Sequence, residues 1–228
     1  MHFSSPAVAE VFAAYERRDA EERQRQATLG AAAFDHLDEF LLPVGPEVGW
    51  FLHNLILAKR PARILELGTS YGYSTLFLAD AAKQVGGRVI TMDLADYKQE
   101  EARRQLTKAG LVDVVDFRLG DAVAMIGEDA GPFDFVLLDI WKDLYLPCLE
   151  AFHPKLADEA IVAADNMVFP PNARPDVRKY RAAVAAKADL QSALLPIGNG
   201  IELSVKWVEG NAKLSATVWN DMKARTSS

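Results

Sequence analysis

The stretch Ile64-Leu65-Glu66-Leu67-Gly68-Thr69-Ser70-Tyr71-Gly72-Tyr73-Ser74 decides the fold. It opens with a short strand-like run, passes through a turn containing glycine and leads into a helix expected over about 72–84. A strand, turn and helix in this order begin a βαβ unit, where ligands bind beyond the carboxyl ends of the strands. Gly68 permits a tight turn and close backbone approach. The amides that start the helix, with Ser74, can hold an anionic group such as a carboxylate.

The glycine pattern is E-x-G-x-x-x-G-x-S. Counted from Gly68, the second and third glycine positions of G-x-G-x-x-G hold Ser70 and Tyr73, which argues against a nicotinamide cofactor. Asp93 ends the next strand, 25 residues after Gly68, where a carboxylate can accept both hydroxyls of a ribose. The bland alternative is a plain strand–turn–helix with a capping aspartate.

Outward from this unit, short apolar runs alternate with helix-length segments. Strands are expected at 63–67, 88–92, 114–119, 133–138 and 160–164, and helices at 72–84, 96–109, 121–128, 142–156 and 173–187. Alternation of this kind gives a parallel sheet covered on both faces. The run Phe135-Val136-Leu137-Leu138 suits a strand buried on both sides. Two β-type runs, Leu190–Leu195 and Glu202–Val208, are joined through Pro196-Ile197-Gly198-Asn199-Gly200 and read as a hairpin. The expected architecture is α/β: a Rossmann-like, doubly wound, mostly parallel seven-stranded sheet with an antiparallel last strand.

Extra helices precede the sheet. One covers 5–28, capped by Ser5 with Pro6 at its first position. A second, short one over 29–42 carries Phe34, Leu37 and Phe40, and a third runs from Pro46 to Lys59–Arg60. We expect a single domain over 1–228, with 1–45 as a helical cover and 209–228 as a polar tail of no evident structure.

Composition narrows the function. The formal charge of −7 lacks the basic footprint of a general nucleic-acid binder and offers no polybasic membrane patch. The single cysteine, Cys148, excludes an intramolecular disulfide and a cysteine metal site. No apolar run reaches ~18 residues and no signal peptide is evident, so a cytoplasmic protein is expected.

Asp139 follows one expected strand directly, and Asp165 and Asn166 follow the next. Two carboxylates and an amide carbonyl at one sheet edge form a hard, all-oxygen ligand set that suits Mg2+. The four histidines show no ligand spacing. Lys142 lies one helical turn after Asp139 and is a candidate general base, against the bland reading of a solvated lysine. Trp141 belongs either to the core or against a flat ligand.

These stretches together resemble the cation-dependent O-methyltransferases, in particular their catechol-type branch. The resemblance rests on E-L-G-T-S-Y-G-Y-S (66–74), V-I-T-M-D (89–93), D-I-W-K-D-L-Y-L-P (139–147), A-D-N-M-V-F-P (164–170) and N-G-I-E (199–202), and covers about residues 40–208. It implies that Val44, Glu66, Gly68, Ser74 and Asp93 bind S-adenosylmethionine, with Asp93 on the ribose. Asp121 and Ala122 would touch the adenine pocket, Trp141 would lie by the adenine and the substrate mouth, and Asp139 would also contact the cofactor. Asp139, Asp165 and Asn166 would hold Mg2+ and Lys142 would be the base. Glu202 would hydrogen-bond the second hydroxyl of a small aromatic diol, and Pro170 would flank its ring. Ile140 departs from the histidine of the mammalian catechol enzyme, and Asp121-Ala122 from its Ala-Ser. Other hydroxylated substrates of the same family, caffeoyl-coenzyme A-like or a tRNA base, stay open, as does a homodimer. A nicotinamide oxidoreductase and a non-catalytic cofactor-binding protein are the competing classes.

Overall fold

The computed structural model describes residues 2–169 and 171–207. Its sheet has seven strands: β1 (Arg63–Leu67), β2 (Arg88–Asp93), β3 (Val115–Leu119), β4 (Phe133–Leu138), β5 (Leu156–Ala164), β6 (Leu190–Leu195) and β7 (Ile201–Lys206). They lie in the order β3-β2-β1-β4-β5-β7-β6. The first five are parallel, and β7 runs antiparallel to both β5 and β6. The chain winds outward from β1 through β2 to β3, then returns to add β4 on the other side. That reversal opens a crevice at the carboxyl ends of β1 and β4.

Side-chain alternation along the strands builds two cores. Ile64, Val89 and Phe135 face one side, under α2 (Pro46–Lys59) and α3 (Tyr73–Val85), where Leu52, Ile56 and Phe77 meet them. Leu65, Leu67, Ile90 and Val136 face the other, against Leu149 and Phe152 of α6 (Tyr145–Phe152) and Tyr180 of α7 (Arg174–Ala186). α4 (Asp96–Lys108) and α5 (Ala122–Glu128) complete the crossovers. α1 (Pro6–Leu29) starts as its sequence predicts: Ser5 Oγ accepts from the Val8 amide at 3.3 Å, and Val8, Val11 and Tyr15 are buried.

The structure departs from the sequence-based expectation in three places. Residues 30–39 form 3₁₀ turns, with Gly30 (φ +56°) ending α1. Of the apolar residues expected there, Phe40 is fully buried but Phe34 is 72% exposed, so the segment is only partly amphipathic. The helix expected over 142–156 is divided into a 3₁₀ turn (Lys142–Leu144), α6, and a second 3₁₀ turn (His153–Lys155) that contains Pro154, a residue with no N–H for an α-helical ladder. β5 begins four residues early, because Leu156 pairs with Phe133 ahead of a register irregularity; the intervening exposed Asp158 and Glu159 gave no strand signal. Pro170, Val208 and the expected tail 209–228 lie outside the described residues. Among those described, no helix is long and apolar enough to cross a membrane.

Candidate active site

The backbone turns at Gly68 with φ +102°. A Cβ there would sit 2.0 Å from the Asp139 carbonyl oxygen, so only glycine lets the end of β1 pass the end of β4 this closely. Asp93 fixes the turn from β2. Its Oδ2 accepts from the Ser70 amide (2.7 Å) and its Oδ1 from the Ala95 amide (2.8 Å). The carboxylate is thereby pinned at the rim of the crevice.

Glu66 points into the first core and is fully buried. Oε1 accepts from Ser74 Oγ (2.6 Å), while Oε2 accepts from Thr75 Oγ1 (2.7 Å) and Thr91 Oγ1 (2.6 Å). Burial raises its pKa to about 7; the three hydroxyl donors pull it back and the charge of Asp139 adds to the rise. Val44 is half-buried on the segment before α2. Asp121 caps α5, accepting from the Ala124 amide at 2.8 Å, with Ala122 as the first helical residue. Trp141 is 64% exposed, which removes the core reading and leaves its ring free at the mouth.

The acidic pair sits on adjacent strand ends. The Asp139 amide donates to the Leu67 carbonyl (2.9 Å) and the Asp165 amide to that of Leu138 (3.1 Å), so both extend the ladder by one residue. Asp165 is buried, and its Oδ1 has no hydrogen-bond partner. Burial, reinforced by Asp139, raises the Asp165 carboxyl to about 7. Burial also raises Asp139, against the opposing charge of Lys142. Asn166 adopts φ +56°, a left-handed conformation that asparagine tolerates better than most residues.

Lys142 is not a solvated lysine. Nζ donates to Asn166 Oδ1 (3.1 Å), to the Ile140 carbonyl (3.3 Å) and to the Tyr145 hydroxyl. Burial pushes its ammonium below the usual lysine range, and Asp139 and Asp165 pull it back. Tyr145, which sequence reasoning noted only as part of a motif, is the hub beneath it. Its ring is fully buried, and its hydroxyl faces the carbonyls of Leu138 (3.0 Å) and Asp165 (3.1 Å).

The structure thus brings together Asp139, Lys142, Asp165 and Asn166. Glu202 stands on β7 opposite Ala164, one residue before Asp165. That carboxylate is buried, paired with Arg181 Nε of α7 at 2.8 Å and accepting from Ser192 Oγ of β6 at 2.9 Å. The exposed side chains of Val168 and Phe169 follow Asn166 on the way to α7, and Pro170 lies outside the described residues.

Nothing in the sequence signals that α1 grips the glycine turn. Tyr15 Oη donates to the Tyr71 carbonyl (2.6 Å), Tyr73 Oη donates to Glu16 (2.7 Å), and the Arg18 guanidinium lies 3.9 Å from the Tyr71 ring centre. Their spacing along α1 is visible in the sequence, but the partner loop is not.

Residues 65–167 match the family model described as a methyltransferase domain. A caffeoyl-CoA O-methyltransferase of Eucalyptus globulus is 31% identical over 187 residues, covering 72% of this chain and 74% of that one. The chain belongs to the S-adenosylmethionine-dependent O-methyltransferases. A catechol O-methyltransferase of Niastella koreensis is 33% identical over 144 residues, covering 60% of this chain and 65% of its own. The fold is also that of an O-methyltransferase from Bacillus cereus in complex with SAH, at a TM-score of 0.70 and 24% identity over 89% of this chain and 91% of that chain. In this O-methyltransferase the methyl donor is S-adenosylmethionine, and the enzyme is of the caffeoyl-CoA and catechol type.

Proposed function

We propose that this O-methyltransferase moves the methyl group of S-adenosylmethionine to one hydroxyl of a catechol-like aromatic diol, with Mg2+ as the bound cation. The observation that carries this reading is the cluster at the ends of β4 and β5. It offers two carboxylates, one amide oxygen and a lysine, with a buried Asp165 oxygen that has no partner. An orphaned buried carboxylate oxygen is costly, and a cation satisfies it. Among the described residues no group of three or more His, Cys, Asp or Glu is placed to hold a metal ion, so the proposed set depends on the Asn166 amide beside its two carboxylates.

In this reading Asp93 holds the ribose and Ser74 and the first amides of α3 hold the methionine end, with Val44 and Gly68 beside it. Asp121, Ala122 and Trp141 border the adenine. Asp139, Asp165 and Asn166 would hold the cation. Bound there, Mg2+ would supply acidification of the hydroxyls it contacts. Lys142 Nζ accepts the proton of the attacking hydroxyl, and Tyr145 holds that amine in place from below. The hydroxyl oxygen forms its bond to the methyl carbon as the carbon–sulfur bond breaks, and the sulfonium leaves as a neutral thioether. Opposite charges are lost in this step, so a site sheltered from water favours it. Trp141, Val168 and Phe169 supply apolar surface at the mouth for an aromatic ring. Glu202, held by Arg181 on one oxygen and Ser192 on the other, keeps acceptor capacity for the second hydroxyl.

The test is a substrate panel with S-adenosylmethionine and Mg2+: catechol, phenol, caffeoyl-coenzyme A and bulk tRNA. The proposal expects turnover of the vicinal diols and poor turnover of phenol. Equal rates on catechol and phenol would overturn it. Methylation of the caffeoyl thioester alone would move the substrate to the larger class that the Eucalyptus relative's name states.

A further inference from the structure

Glu202 shares one edge of the sheet with the acidic pair, since it stands opposite Ala164 and Asp165 follows Ala164. A buried carboxylate is tolerated as an ion only where it is paired and hydrogen-bonded. Among the described residues Arg181 is the one cation at ion-pair distance from Glu202. The contact is a single one, from Nε to Oε2 at 2.8 Å, while Ser192 Oγ donates to Oε1 at 2.9 Å. Neither partner belongs to the strand-end motifs: Arg181 comes from α7 and Ser192 from β6.

The sequence places Arg181 where α7 meets the sheet. Val177, Tyr180 and Val184 are the buried stripe of this helix, and Arg181 follows Tyr180 at the margin of that stripe. Its side chain is 44% exposed, so the stem runs along the apolar boundary and the guanidinium meets Glu202. Tyr180 itself packs edge-on against Tyr145, ring centres 5.5 Å apart, and Tyr145 is the hub beneath Lys142. One helix therefore stands behind both the lysine and Glu202. Resting on the diol substrate proposed above, we infer that Arg181 is a positioning residue that fixes Glu202 as a charged acceptor for the hydroxyl that is not methylated, and so sets the preference for diols over single phenols. An ionised carboxylate accepts and cannot donate, and it offers about four lone-pair sites. Arg181 and Ser192 take one on each oxygen, which fixes the orientation of the group and leaves acceptor sites for substrate.

Arg181→Met tests this because it keeps an unbranched stem and removes the charge and the donor. The readout is the ratio of kcat/KM on catechol to kcat/KM on phenol, with KM and kcat on catechol measured separately and Tm recorded for each variant. Only catechol carries the second hydroxyl, so the ratio isolates the contact that Glu202 makes. A merely structural Arg181 would lower Tm and both kcat/KM values together and leave the ratio where it was.

Arg181→Met should reduce the catechol-over-phenol ratio ~10-fold, the scale of a hydrogen bond to a charged group, with most of the loss in KM for catechol. Arg181→Lys should return the ratio to within about threefold of wild type, because the pair uses one N–H and not the guanidinium fork. Adding Arg181→Met to Glu202→Gln should reduce the ratio no further than Glu202→Gln alone, because the two act as one unit. An unchanged ratio in Arg181→Met, or additive losses in the double variant, would overturn the inference. If Arg181→Met does not fold, Arg181→Gln decides. It keeps a donating nitrogen without the positive charge and should still reduce the ratio several-fold, while a wild-type ratio would refute the role of the charge. Glu202→Gln separates this inference from the reading beneath it. If that variant loses the preference and Arg181→Met keeps it, the role of Arg181 alone falls. If Glu202→Gln keeps the wild-type preference, the contact between Glu202 and the second hydroxyl falls first.

Discussion

Replacing Lys142 with alanine separates proton transfer from donor binding. Nζ touches Asn166, Tyr145 and the Ile140 carbonyl, and none of the groups assigned to the donor's ribose or methionine end. Loss of a general base costs ~10²–10⁴-fold in rate. The lower end is expected here, because acidification of the hydroxyl by a cation would already perform part of the same task. Lys142→Ala should therefore lower kcat on catechol by about 10²-fold, while S-adenosylhomocysteine binds within about twofold of wild type. The assay is kcat across a series from catechol to nitrocatechols, whose more acidic hydroxyls need less help from a base. The mutant's deficit should shrink along that series. A constant deficit would mean that Lys142 only positions the substrate. Wild-type rates on catechol would refute the base role outright.

Tyr15→Phe removes the buried donor to the Tyr71 carbonyl and should cost about 1–3 kcal/mol, or several degrees of Tm at this chain length. An unchanged Tm would show that α1 does not brace the glycine turn. Glu66 is an acid whose folded pKa, about 7, lies above the 4.5 of the free group. Its contribution is therefore full below pH 4.5 and lost as pH rises through 7, by at most about 3 kcal/mol. Urea unfolding at pH 5 and pH 8 should show wild type losing stability relative to Glu66→Gln; parallel curves would contradict this. Millimolar Mg2+ should raise the Tm of wild type, by linkage of binding to folding, and raise that of Asp165→Asn much less. Equal shifts would place the cation elsewhere.

The strands and the cluster at their ends were legible because both obey local rules. An apolar run such as Phe135–Leu138 followed at once by Asp139 is a strand with a polar group at its tip, and the alternation of strands and helices places every such tip on one edge. What stayed hidden depends on contacts distant in sequence. Tyr15 and Tyr71 are far apart in the chain, and nothing in either segment reveals the other. Glu202 reads as a free acid at the start of a strand until Arg181 and Ser192 are seen on either side of it. Glu66 reads as a binding carboxylate, yet the fold encloses it behind Ser74. The early start of β5 depends on Phe133 as a pairing partner and not on the propensities of Asp158 and Glu159.

Turnover with and without divalent cation tests the central claim most directly. Purified enzyme with S-adenosylmethionine and catechol is stripped with chelator, assayed, and assayed again after Mg2+ is restored. The proposed arrangement of Asp139, Asp165, Asn166 and Lys142 predicts loss of methyl transfer in chelator and its recovery with Mg2+. Full activity in chelator would contradict it.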